Sequence, residues 1–239
     1  MPSSGFPGFP AEALQFLRGL EKNNRREWFE PRKTVYEEQV RAPMLELVAA
    51  LNARMRTFAP DFVREPERAV YRIYRDIRFS HDKTPYKTHI AAVFTRRGFE
   101  KHAGAGYYVG LSAKEIDAAG GVYMPSPEEL RAIRLHLVEN HAEFNRILSR
   151  PSVRKTLGSL EGEKLSRVPK GFPAEHPSAS LVQHKQWLLW SKLDPALATT
   201  PQLFVEILQR FRAMAPFIDF LNAPLANLHR KPDPRAFLD

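Results

Sequence analysis

The residues best equipped for chemistry lie close together, between Tyr71 and Thr88. Arg72, Arg75 and Arg78 offer guanidinium forks that match phosphate or carboxylate groups, and Lys83 and Lys87 add compact ammonium charges. Tyr74 or Tyr86 could stack on a ring or donate a hydrogen bond. If residues 70–78 are extended, a period of two puts Arg72, Tyr74, Asp76 and Arg78 on one face. Tyr71, Ile73, Arg75 and Ile77 take the other, so Arg75 stands among apolar neighbours. It then needs a carboxylate, a group of carbonyls or a bound anion, because breaking a buried ion pair costs about 3–5 kcal/mol. Residues 80–85 read as a turn that leads through Tyr86 and Lys87 into the next strand.

Three readings of this hairpin follow. It could bind an anionic ligand, either a phosphorylated small molecule or nucleic acid, for which basic residues interleaved with Tyr71, Tyr74, Phe79 and Tyr86 form a suitable platform. It could act on such a ligand, with Lys83, Tyr86, Asp76 or Asp82 as acid–base groups. Neighbouring cations would lower the pKa of Lys83 or Tyr86, and would hold both aspartates ionised and make them poor acids. Alternatively Asp76 and Asp82 pair with the arginines internally, and the hairpin serves the fold or a protein partner. A second candidate is the loop Val168-Pro169-Lys170-Gly171-Phe172 with His176 and Lys185; there, a Pro- and Gly-containing loop covering a sheet edge is the more economical account. Trp187 and Trp190 fall on opposite faces of an expected strand, one for the core and one for a partner surface.

Other chemistries lack support. The chain has no cysteine, which excludes disulfides, thiolate metal sites and a cysteine nucleophile. Its eight histidines, at 81, 89, 102, 136, 141, 176, 184 and 229, include no pair with the spacing of a zinc helix. No metal and no cofactor is therefore expected. Gly104-Ala105-Gly106 precedes a strand rather than a helix, so it is not a dinucleotide fingerprint, and neither a phosphate loop nor a nucleophile elbow occurs.

Charge points back to the hairpin. The 239 residues carry a net charge of +9, and between Val70 and Arg97 seven basic residues meet two acids, five of the nine net charges. Such concentration favours an anionic partner. With 43% hydrophobic and 26% charged residues the composition is globular. Residues 1–10 lack the basic and apolar regions of a signal peptide and no run approaches 18 apolar residues, so a cytoplasmic protein with no membrane partner is expected. Nothing in the sequence sets the oligomeric state.

The elements that must position these groups are legible from period and punctuation. Ala13, Phe16, Leu17 and Leu20 mark a first helix; Asn24 and Glu27 are spaced as a capping box for a second, interrupted near Pro31 and Pro43. Residues 70–76, 88–95, 107–112, 116–124 and 187–193 read as strands, with Gly104, Gly106, Gly120 and Gly121 as bends or points of close approach. Ser126-Pro127-Glu128-Glu129 starts a helix that ends near Pro151, and Thr200-Pro201 starts the last one, bent near Pro216. The expected fold is α+β: an antiparallel, meander-like sheet of about 4–6 strands packed with N-terminal, middle and C-terminal helices. A single domain over 1–228 with a mobile tail at 229–239 is expected.

The stretch from Tyr71 to Thr88 resembles the signature of the family called domain of unknown function 2461. So do residues 9–29, with Asn23-Asn24 and Glu27-Trp28-Phe29, and so does Gly120-Gly121-Val122-Tyr123. The same holds for residues 165–172, His176-Pro177, Lys185, Ala215-Pro216-Phe217 and Phe220-Leu221-Asn222. The resemblance runs roughly over residues 6–224. It implies a single unit of helices and strands, and brings no activity, cofactor or catalytic residue to carry over.

Overall fold

The computed structural model describes residues 5–78, 80–99, 103–226 and 228; the expected tail at 229–239, together with Phe79 and His102, lies outside the described residues. Helices α1 (Ala11–Lys22), α2 (Arg26–Phe29), α3 (Lys33–Val35), α4 (Ala42–Met55) and α5 (Pro66–Ala69) precede strands β1 (His89–Phe94), β2 (Gly106–Ser112) and β3 (Ile116–Val122). Helices α6 (Pro127–Leu148), α7 (Pro151–Thr156) and α8 (Ala179–Val182) lead to β4 (Trp187–Leu193) and α9 (Gln202–Asn222). The four strands form one antiparallel sheet in the order β1-β2-β3-β4, so the α+β expectation holds at the low end of its strand count. The excursion through α6, α7 and α8 joins β3 to β4, and the meander is confined to the first three strands.

Residues 70–76 do not form the regular strand that their alternation predicts. Two isolated antiparallel bridges, Val70 to Ala92 and Tyr74 to Tyr86, tie this segment down. Four steps separate Val70 from Tyr74, whereas six separate Tyr86 from Ala92, so two extra residues on the returning side break the ladder. Pro85 also lacks a donor and only accepts, from Arg75 N at 2.9 Å.

The chain gathers into two compact units. The first comprises the described residues of Met1–Phe94, Tyr108–Ala119 and Ser191–Arg212. Its core takes Phe16, Leu17 and Leu20 from α1, Met44, Leu47, Val48 and Leu51 from α4, Ile90, Ala92 and Phe94 from β1, and Ile207 and Phe211 from α9, all buried. These positions recur at three and four residues on the helices, which turns one apolar stripe inward. Phe94 and Phe211 meet edge to face with centroids 5.6 Å apart. At the prolines expected to interrupt the helix, the chain keeps winding with altered pitch: a 3₁₀ turn over Glu30–Arg32 and a π turn over Tyr36–Arg41, just ahead of Pro43. A proline nitrogen cannot close the i→i−4 bond, and the wider turn accommodates the loss.

The second unit comprises the described residues of Thr95–Tyr107, Gly120–Trp190 and Ala213–Asp239. Ser126 caps α6 as its sequence predicts: its hydroxyl accepts from Glu129 N, and the Glu129 carboxylate accepts from Ser126 N. That carboxylate also holds Gly104 N at 2.7 Å. The kink of α6 at Asn140 coincides with an amide that bonds back to the His136 carbonyl at 3.0 Å. Gly120 and Gly121 are points of close approach: a Cβ at Gly120 would lie 2.8 Å from Met214 Sδ, and one at Gly121 would overlap the Trp187 carbonyl oxygen. The 158–178 stretch is irregular; the bridge Glu161 to Leu188 pairs its start with β4, and Lys164 bridges to His184 just ahead of that strand. Trp187 is buried and donates from Nε1 to the Leu181 carbonyl, while Trp190 is half-buried.

Asn222 closes this unit. Fully buried, it accepts from Ala105 N at 2.9 Å and donates to the Ala105 carbonyl at 3.1 Å. Truncating the side chain to a methyl strands a buried donor and a buried acceptor, so Asn222→Ala is expected to lower stability by about 2–4 kcal/mol, read as a reduced urea midpoint at unchanged slope.

Candidate functional site

The hairpin is built outward from Tyr86. Its ring is buried and stacks on Phe29 at 4.2 Å, with Tyr74 at 5.6 Å and Phe16 and Tyr36 around Phe29. Its backbone is held by a residue read from sequence as a helix cap. Asn24 donates from Nδ2 to the Tyr86 carbonyl at 2.9 Å and accepts from Tyr86 N at 3.1 Å, while α2 begins without a side-chain cap. An amide presents one donor and one acceptor in parallel, so it mimics a neighbouring strand where the irregular backbone offers none.

Burial alternates along residues 71–78 even though no regular strand forms. Tyr71, Ile73, Arg75 and Ile77 point inward to differing depths, and Arg72, Tyr74, Asp76 and Arg78 are exposed. The inward arginine finds the carboxylate it requires: Arg75 Nη1 lies 2.5 Å from Asp82 Oδ2 and also meets the Thr84 hydroxyl, and its side chain is 27% exposed. Asp82 further accepts from Thr84 N at 2.9 Å and Thr84 Oγ1 at 3.0 Å. The Thr84 amide, then Arg75, then the Thr84 hydroxyl hold its carboxyl down at about 2. Asp76 is likewise pulled down to about 2, by Arg78, which forks onto it with Nε at 3.0 Å and Nη2 at 2.7 Å.

The remaining cations turn to carbonyls or to solvent. Lys83 donates to the Ile77 carbonyl at 3.0 Å, and Lys87 donates to the Arg72 carbonyl at 3.0 Å while lying 4.9 Å over the Tyr71 ring. Burial and then Arg72 press the Lys87 pKa down. The exposed Arg72 guanidinium makes no hydrogen bond among the described residues. Burial pushes the Tyr86 hydroxyl up, where neighbouring cations were expected to lower it: Arg26 does pull it down, but desolvation is the larger effect. Two aspartates ionised at neutral pH and a tyrosine with a raised pKa do not make an acid–base pair.

The second candidate set is not brought together. Lys170 is exposed, Lys185 pairs with Glu163 at 3.0 Å, and His176 Nδ1 meets the buried Ser178 through Oγ at 2.8 Å and N at 3.2 Å. The His176 ring also lies edge-on to His141 at 4.9 Å. No hydrogen bond or ion pair links Lys170, His176 and Lys185 to one another among the described residues. Sequence reading missed three polar residues. Asn24 acts 62 positions away, with no local signal. Arg134 was legible as a charge on the apolar stripe of α6, between Leu130 and Leu137, and His184 as its neighbour in space was not. Among the described residues no group of three or more His, Asp or Glu is placed to hold a metal ion, and no helix is long and apolar enough to cross a membrane.

Two outcomes follow from this geometry. Asn24→Ala leaves both backbone groups of Tyr86 without partners, and thermal or urea unfolding is expected to register a loss of about 1–3 kcal/mol. The two aspartates are depressed in the folded state, so their contribution is complete above their ordinary pKa of 3.8 and is lost as pH falls towards about 2. Amide exchange at Thr84, Arg75 and Lys87 is therefore expected to accelerate between those values relative to the rest of the chain. In Asp82→Asn, the part of that acceleration due to Asp82 is absent.

No curated protein matches the chain. A family model does, over residues 12–220, and its description is conserved hypothetical protein (DUF2461). That span contains Asn24, the Arg75–Asp82 pair and the Gly120–Gly121 approach, and the chain belongs to this family of conserved hypothetical proteins.

Proposed function

We propose that the protein is a cytoplasmic binding module for an anionic ligand bearing phosphate or carboxylate, a phosphorylated small molecule or nucleic acid, gripped by the outward face of the 71–88 hairpin. The observation that carries this reading is the alternation of burial, which sends Arg72, Tyr74 and Arg78 to solvent together and leaves the Arg72 guanidinium with no hydrogen bond among the described residues. Tyr74, 44% exposed, supplies a ring on the same face. Arg78 is aligned by Asp76 and would have to exchange or share that carboxylate, whereas Lys83 adds charge from the turn. Arg75 and Lys87 act behind this face, as anchors of the hairpin.

A second reading is favoured by one observation of its own. Arg75, Asp82 and Thr84 close on one another, which is what a strap that only fixes the fold requires. An enzyme acting through Lys83, Tyr86, Asp76 or Asp82 gains less support, since those groups are buried, ionised or turned to a carbonyl.

Titration of the full chain with a labelled single-stranded oligonucleotide and with a phosphorylated nucleoside, at roughly 50 and 200 mM salt, separates the readings. Binding is expected to weaken with salt, and Arg72→Ala is expected to reduce the slope of log K against log salt by about 1 for the oligonucleotide without changing the melting temperature. If neither probe binds at low salt, or Arg72→Ala binds as well as the parent, the hairpin is a strap alone.

A further inference from the structure

The net charge of the chain lies in two places. Val70 to Arg97 carries five of the nine charges. Residues 144–160 carry the other four, on Arg146, Arg150, Arg154 and Lys155, with no acid among them, and the rest of the chain is neutral on balance. This second group belongs to the second unit and to no site described above. It occupies the corner where α6 gives way to α7: Arg146 in the last turn of α6, Arg150 at the cap position of α7, and Arg154 and Lys155 near the end of α7.

All four side chains are exposed, and none makes a hydrogen bond or an ion pair among the described residues. Exposed cations elsewhere meet carboxylates, Arg68 at Glu65, Lys114 at Glu21, Lys185 at Glu163 and Lys192 at Glu115. Helix dipoles account for only part of the group. A cation is favoured in the last turn of a helix, which suits Arg146, and disfavoured at the start of one, where Arg150 stands. Four like charges within ten residues also repel one another, so the corner holds them at some cost to the fold.

The corner is a firm mount for them. Ile147, Val153 and Leu157 are buried beneath it, and the Arg150 carbonyl accepts from Val153 N and Arg154 N, both at 3.0 Å. The hydroxyls of Ser149 and Thr156 donate to the chain's own carbonyls, at Arg146 and Ser152. Phe144 is buried, and no aromatic or large apolar side chain of residues 144–160 is exposed. What the corner offers to solvent is charge, without rings or apolar surface.

That composition selects the partner. A membrane-surface helix inserts an apolar face beside its cations, and here that face is committed to the core. A single strand is held by rings on which its bases stack. A double helix presents a regular series of phosphates outside its bases, and three of the four cations are arginines, whose forks match phosphate oxygens. We propose that the α6–α7 corner is a second interaction surface, which grips the phosphate backbone of double-stranded nucleic acid irrespective of sequence. It shares a ligand class with the reading above but none of the hairpin residues.

Anisotropy of a labelled duplex of about 20 base pairs, titrated with the full chain at roughly 50 to 200 mM salt, tests this surface. The parent is expected to bind with a steep salt dependence. A fourfold variant, Arg146→Gln, Arg150→Gln, Arg154→Gln and Lys155→Gln, is expected to lose about a hundredfold in affinity at the lower salt. Its slope of log K against log salt is expected to flatten by about 3, with the melting temperature unchanged or raised. Should that variant not fold, Arg150→Gln alone is expected to flatten the slope by about 1. Replacing the three arginines by lysine is expected to keep the slope, because charge sets counterion release. An Arg72→Ala, Arg78→Ala variant is expected to keep the parent's duplex slope, so failure of the hairpin reading shows on the single strand and failure of this one on the duplex. Absence of duplex binding at the lower salt overturns the proposal, as does a fourfold variant that binds the duplex like the parent. Binding to vesicles with about 30% phosphatidylserine but not to the duplex overturns it as well.

Discussion

The Arg75 guanidinium is turned inward and partly shielded, and the exposed Asp82 carboxylate neutralises it across the turn. The pair draws residue 75 to residue 82 across the turn, and Thr84 ties the same carboxylate to the returning chain through both its amide and its hydroxyl. Once those contacts are made, the position of Pro85 and Tyr86 follows, and Tyr86 can reach Phe29 and the amide of Asn24. An electrostatic requirement at one side chain thus sets the path of about a dozen residues, with aromatic packing and an amide clamp completing what backbone pairing does not supply.

The same physics appears in the second unit with a different outcome. Arg134 is shielded by helix α6 and by the chain around His184, but it meets a carbonyl where Arg75 meets a carboxylate. A carbonyl is a dipole and offers one good hydrogen bond without cancelling charge. A guanidinium so placed is held at a cost in stability.

Much of the architecture was legible because its signals are local. The Ser126 capping box, the β-branched and small residues of β1, and the run from Trp187 to Leu193 each specify an element within a few residues, and all are found where they were read. The inward turn of Arg75 was legible too, since a period of two survives in burial after hydrogen-bond pairing has been lost. What could not be read is set by distance along the chain. The two-residue mismatch against Ala92 depends on where the returning strand registers, and the role of Asn24 depends on a backbone 62 positions away. Asn24 followed by Glu27 is also a valid local capping pattern, so the local reading competed with the tertiary one and lost.

Charge and donors part company at the hairpin. Five cations against two acids leave +3 between Tyr71 and Thr88, and no hydrogen bond to a carbonyl lowers that figure, so Lys83 and Lys87 keep their full field although their ammonium groups are engaged. A field of this kind draws anions over a distance of roughly a Debye length, about 8 Å at physiological salt, but carries little discrimination. Selectivity needs donors in a fixed place; among the described residues of the hairpin the Arg72 guanidinium makes no hydrogen bond, whereas Arg78 is forked onto Asp76. Arg134 is the opposite case, shielded, with one hydrogen bond among the described residues and its Nε sealed without a partner.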